Sequence, residues 1–162
     1  PVVSAVQGPA AGIGCSLALS ADFCIGAQSA YFLQAFVNIG LVPDGGASWL
    51  LPRIVGRSRA MQMMMLGERV SAETALEWGL VYRLVPDDLL EHEAWVFADR
   101  LANGPTVAMG LMRRGLRHAM ESSLEDAMLR EAEDQRIASG TVDAREGAAA
   151  FLEKRDAVFV GK

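Results

Sequence analysis

The opening stretch, PVVSAVQGPAAGIGCSLALSADFCIGA, limits the fold more than any other part of the chain. The β-branched run VVSAV (2–6) reads as a short strand buried on both faces. QGPAAGIG follows, with three glycines and a proline in eight residues, which predicts a tight loop rather than a helix interior. CSLALSA then reads as a short apolar helix and DFCIGA (22–27) as the next strand. Strand, glycine-rich loop, helix, strand is the βαβ order of a parallel sheet, so an α/β fold is expected.

The same alternation continues. AYFL (30–33) suggests a further short strand, and ASWLLPRIV (47–55) a helix that Pro52 kinks or stops. SRAMQMMMLG (58–67) is expected to be a helix ended by Gly67. SAETALEWG (71–79) has Ser71 as N-cap, and LVYRLV (80–85) alternates like a strand. After Pro86 the pattern becomes helical. DLLEHEAWVFADRLANG (88–104) carries Leu90, Ala94, Phe97 and Leu101 at helical spacing. Three more helical stretches follow: one after Pro105, one capped by Ser123, and one over 142–156. Residues 1–86 are therefore expected to form an α/β part and 87–162 a helical part.

With 51% hydrophobic and 22% charged residues in 162, a packed core is expected and disorder is not. A net charge of −5 and the lack of an arginine-rich run speak against a nucleic-acid surface. No apolar stretch reaches the ~18 residues of a membrane span. PVVSAV has no basic n-region and so no signal-peptide character. Cys15 and Cys24 lack metal-site spacing and stand in apolar surroundings. They are expected to be buried free thiols, which suits the cytoplasm. A domain rarely opens mid-core, so an upstream segment is expected ahead of Pro1.

Two segments could carry chemistry. GPAAGIG (8–14) sits between a strand and a helix, where backbone N–H groups favour an oxyanion or phosphate. It matches neither common nucleotide-binding glycine pattern, and a tight packing turn explains it equally. Asp44, in VPDGG, is a turn residue, a helix cap, or an acid/base in a partly desolvated pocket. His92 and His118 read as surface helix residues without a metal-ligand cluster. MQMMM (61–65) is core packing or an acyl-pocket wall, and Trp49, Trp78 and Trp95 read as packing anchors.

In their order, VVSAVQGPAAGIGCSLALSADFCIG, NIGLVPDGGASWLLPRIVGRSRAMQMMMLGERVSAETALEWGLVYRLV and REGAAAFLEKRDAVF resemble the crotonase (enoyl-CoA hydratase/isomerase) superfamily over essentially the whole chain. GLVPDGGASWLLPR most resembles the isomerase branch of phenylacetate degradation, which rearranges an aryl epoxide and shifts enoyl-CoA double bonds. The resemblance implies a partial crotonase spiral of ββα units, lacking an N-terminal part of ~90–100 residues. A helical trimerisation region would follow, giving a homotrimer or a hexamer. The substrate would be an acyl-coenzyme A thioester, with no permanently bound cofactor and no metal.

The resemblance also assigns roles. Ile13, between Gly12 and Gly14, would supply one of two backbone N–H groups that hold the thioester oxygen as an enolate forms. Loss of one such donor costs roughly 2.7–4 kcal/mol of transition-state stabilisation. Family hydratases carry two glutamates that activate water; Ser16 and Phe36 stand at those positions. Neither can do carboxylate work, so hydration by that pair is disfavoured. Several family isomerases and aryl-CoA dehalogenases place their working carboxylate at Asp44. Phe36 would make the pocket more apolar and raise the proton affinity of Asp44. Phe151 and Lys154, in FLEKR, would touch the adenine and a phosphate of coenzyme A held by a neighbouring subunit. A solvated amphipathic helix explains Lys154 equally well.

Overall fold

The first four strands are dealt alternately to two small sheets. β1 (Val3–Val6) lies parallel to β3 (Phe23–Ala27), Val3 opposite Phe23 and Val6 opposite Gly26. β6 (Arg83–Val85) extends that sheet, parallel to β3. In the other sheet β2 (Pro9–Ala11) is parallel to β4 (Tyr31–Leu33), and β5 (Val70–Ser71) is antiparallel to β4. The chain thus runs strand, strand, helix α1 (Ile13–Leu19), then strand, strand, a 3₁₀ turn (Ala35–Ile39) and helix α2 (Ala47–Leu66). This is the ββα repeat of the expected spiral, in part. The computed structural model describes all of residues 1–162. It comprises two compact units, residues 2–96 and residues 97–162 together with Pro1.

Three expectations need correction. QGPAAGIG is not all loop: Pro9–Ala11 is a strand, because its backbone groups find a partner in β4 that local composition cannot announce. VVSAV is not buried on both faces; Val2 is 49% exposed and only Val6 of β1 is buried. Helix α1 packs against this strand, and Ser4 Oγ donates to the Ala18 carbonyl at 2.9 Å. The helix starting at Ala47 runs through Pro52 and breaks instead at Gly56, with φ 78° and ψ 162°. The carbonyl that Pro52 leaves unpaired belongs to exposed Ser48, where it is open to solvent.

Phe32, Leu51, Met63 and Cys15 are fully buried at the centre of one apolar cluster spanning residues 6–81. Burial pushes the Cys15 thiol up to about 11 and that of Cys24 up as well, so both are inert packing groups. α2 ends at Gly67 in the left-handed region, as its sequence implies. Ser71 caps α3 (Ala72–Glu77), its hydroxyl accepting the Thr74 N–H at 3.2 Å. The amides of Leu80 and Val81 both turn back to the Ala75 carbonyl, which shortens the expected strand 80–85 to β6.

Helices α4 (Leu90–Ala102), α5 (Thr106–Ala119), α6 (Leu124–Ser139) and α7 (Val142–Glu153) complete the chain. In α4, Leu90, Ala94 and Phe97 are buried. Trp95 sits off that stripe and is 69% exposed, so it is not a packing anchor. Asp134 on α6 is buried and binds Arg114 of α5 at 2.8 Å and Arg130 at 3.1 Å; the Arg114 contact holds its carboxyl below the usual range. Buried Asp143 accepts the Val160 and Gly161 amides at 2.7 and 2.9 Å, seating the last residues against α7. No helix is long and apolar enough to cross a membrane.

Nothing lies within 4 Å of a Cβ built on Gly56. Gly56→Ala is therefore expected to cost ~1–3 kcal/mol through backbone strain alone, read as a lowered midpoint in urea unfolding.

Candidate functional site

The first turn of α1 is where the singled-out residues meet. Gly12 precedes it with φ 55° and ψ −124°, a conformation that suits glycine. Its N–H donates to the Leu33 carbonyl at 2.8 Å, so the β2–β4 pairing holds the chain up to the point where α1 begins. From Gly12 the backbone turns sharply, and its carbonyl accepts from Cys15 and Ser16. The amides of Ile13 and Gly14 stand at the open start of the helix, where no intrahelical acceptor exists. The Phe36 ring, half-buried in the 3₁₀ turn, lies over Gly12: a Cβ there would be 3.6 Å from the ring.

The segment around Asp44 lies on the same turn. Ser16 is completely buried, and its hydroxyl donates to the Asp44 carbonyl at 2.9 Å. The Ala47 amide donates to the same carbonyl at 3.2 Å. Gly45 has φ 61°, and a Cβ built on it would stand 2.9 Å from the Ser16 Cβ and closer still to the Ile13 side chain. The glycine is required twice, by conformation and by space. Gly46, with φ 85°, is the N-cap of α2, which has no side-chain cap bond. The helix-cap explanation of Asp44 is thereby removed. Its carboxylate is exposed and has no hydrogen-bond or ion-pair partner in the chain. The desolvation expected of a working carboxylate is not supplied by the residues around it here.

The structure therefore brings Gly12, Ile13, Ser16, Phe36 and the Asp44 backbone together, although they span 33 positions from 12 to 44. Sequence reasoning missed Gly45, whose signal was only the Asp-Gly-Gly turn pattern. The Ser16 hydroxyl, expected at a substrate-pocket position, is engaged with a backbone carbonyl. Phe151, in the last turn of α7, is 83% exposed. Lys154 ends that helix at φ 55°, the one non-glycine residue in the left-handed region. Arg155, held by Glu146 and Glu153, anchors the turn behind it. His92 and His118 are exposed. No three His, Cys, Asp or Glu side chains are grouped to hold a metal.

A family description, enoyl-CoA hydratase/isomerase, matches residues 1–162 without a gap at either end. The chain belongs to the enoyl-CoA hydratase/isomerase family. It is 45% identical over 162 residues to the 1,2-epoxyphenylacetyl-CoA isomerase of Escherichia coli K12, of which it covers 62%. It is 44% identical to a Rhodobacter capsulatus protein named "Probable enoyl-CoA hydratase", of which it covers 63%. A Mycobacterium abscessus crystal structure described as an enoyl-CoA hydratase/isomerase superposes on the whole chain with a TM-score of 0.97 and 41% identity, matching 62% of that protein. The chain thus spans somewhat under two thirds of these relatives' length. The partial crotonase fold follows. Identities of 45% and 44% to an isomerase and a hydratase do not separate the two chemistries.

Gly46→Ala, with only Leu50 nearby at 3.8 Å, is expected to cost ~1–3 kcal/mol from strain. Gly45→Ala should cost a further ~1–3 kcal/mol, because it must also displace Ile13 and Ser16. Chemical denaturation of the two variants side by side checks the difference.

Proposed function

We propose that the full-length protein is an acyl-CoA isomerase in which Asp44 carries the proton. One observation supports this above others. The two positions where water-adding relatives are expected to hold glutamates have a serine committed to a backbone carbonyl and a phenylalanine ring. Asp44 stands beside them with an unpaired carboxylate. The naming of the E. coli relative as an isomerase agrees with this.

The chemistry is a 1,3-proton shift. The Asp44 carboxylate takes a proton from the carbon next to the thioester carbonyl of a 3-enoyl-CoA. The C–H bonding pair delocalises onto the thioester oxygen, which accepts from the Ile13 N–H and from a second donor. Asp44 then returns the proton two carbons further along, and the double bond moves into conjugation. The step is redox-neutral and consumes no water, so one carboxylate suffices. A bound acyl chain covering exposed Asp44 would supply the desolvation, with Phe36 as an apolar wall. An aryl epoxide of an acyl-CoA is a further substrate for the same site.

Coenzyme A would be gripped by Phe151 and Lys154 of a neighbouring subunit, both of which are exposed. Met112, Leu116, Leu124, Met128 and Leu129 on α5 and α6 are more than half exposed, which supports assembly into a homotrimer or a hexamer. Noncanonical hydration, attack on an aryl-CoA, and a silent CoA-binding subunit are the other functions compatible with lost glutamates.

Asp44→Asn in the full-length protein should lower kcat for 3-enoyl-CoA isomerisation by ~10²–10⁴ with little change in KM. Product NMR in deuterated water reads it, and near-normal turnover would return Asp44 to the role of a turn residue. Light scattering of the same protein should give a mass of three or six chains; a monomer would sink the assembly proposal.

A further inference from the structure

Presupposing that Asp44 is the proton carrier, as proposed above, we infer that Ser16 is a positioning residue for it, acting through its hydrogen bond to the Asp44 carbonyl. The hydroxyl is unsuited to direct chemistry. Ser16 is completely buried, its proton is donated to a backbone oxygen 2.9 Å away, and no histidine or carboxylate side chain is hydrogen-bonded to it. What it does reach is the segment that carries Asp44.

That segment needs an external tie. Pro43 to Gly46 belongs to neither sheet, two consecutive glycines follow Asp44, and the Asp44 side chain binds nothing in the chain. Its backbone is held at two points. One is local, the Ala47 amide at 3.2 Å, and comes from the helix that follows. The other is Ser16, 28 residues earlier, on the first turn of α1. The latter is the hydrogen bond that relates Asp44 to the turn that begins with Ile13. Gly45 allows the approach by leaving room for the Ser16 Cβ and the Ile13 side chain. A side chain that bonded the carboxylate itself would compete with the substrate proton, whereas a bond to the carbonyl leaves both carboxylate oxygens free. The serine thus fixes where the carboxylate begins without engaging the group that reacts.

Ser16→Ala removes the hydroxyl but keeps the Cβ on which Gly45 packs, and the Asp44 carbonyl keeps its Ala47 donor. Folding is expected to survive. The test follows 3-enoyl-CoA turnover by the full-length protein in deuterated water, recording kcat, KM and deuterium incorporated per isomerisation. A loosened carboxylate returns its proton more slowly and exchanges it with solvent first. Ser16→Ala should lower kcat by ~10- to 100-fold with KM within about threefold, and should raise deuterium per turnover. Ser16→Thr, which keeps the hydroxyl, should recover both readouts. Wild-type kcat and label content in folded Ser16→Ala would overturn the role while leaving Asp44 intact. Full turnover by Asp44→Asn would overturn both assignments. If Ser16→Ala does not fold, Ser16→Val, which matches Ser16→Thr in shape and lacks the hydroxyl, carries the same two readouts, and wild-type values there would overturn the role.

Discussion

The close seating of the Asp44–Gly45 segment on the first turn of α1 is the constraint around which residues 2–96 are arranged at this site. It exists because Gly45 has no side chain and a left-handed φ, so its backbone can press against Ile13 and Ser16. From that contact follow the buried Ser16 hydroxyl, its bond to the Asp44 carbonyl, and the outward carboxylate. The same turn receives Phe36 over Gly12 from the 3₁₀ segment. One short helix start thus gathers an amide, an aromatic wall and a carboxylate-bearing loop.

The strands make this gathering possible. β2 and β4 pair in parallel, and the Gly12 amide continues that ladder to Leu33 immediately before α1 turns away. β1 and β3 do the same one layer over, with every residue from Val3 to Val6 in register with Phe23 to Gly26. The apolar cluster of residues 6–81 holds the layers together through Phe32, Leu51 and Met63. Buried Cys15, Ala18 and Leu19 are its contribution from α1, the first of them one position before Ser16, so the helix that presents the site is also a core element. Rigid packing on one face lets the other carry residues that satisfy no packing need, such as the unpaired Asp44.

Family membership leaves hydration and isomerisation open, since near-equal identities reach relatives of both names. The decision lies with individual side chains. A carboxylate at position 16 or 36 would face the same turn that Ser16 and Phe36 occupy. A serine there instead bonds backbone, and a phenylalanine repels water. The isomerase proposal rests on these two side chains, neither of which can act as a carboxylate base.

Local pattern was enough for the elements whose causes are local. The Ser71 cap, the Gly67 helix end and Pro105 at the start of α5 rest on interactions between near neighbours in sequence. It was also enough for the family. It misjudged two features whose causes are not local. Pro9–Ala11 became a strand because β4 offers it hydrogen bonds. The break in α2 moved from Pro52 to Gly56, because the amide missing at Pro52 leaves only the carbonyl of exposed Ser48 without its helical donor, while Gly56 takes a φ other residues resist. Sequence by itself thus determined the alternation of strands and helices and the residue types present at the site. Only the tertiary structure decided which of them touch, since contacts between residues far apart in the chain depend on how the sheets and α1 pack and not on any local preference.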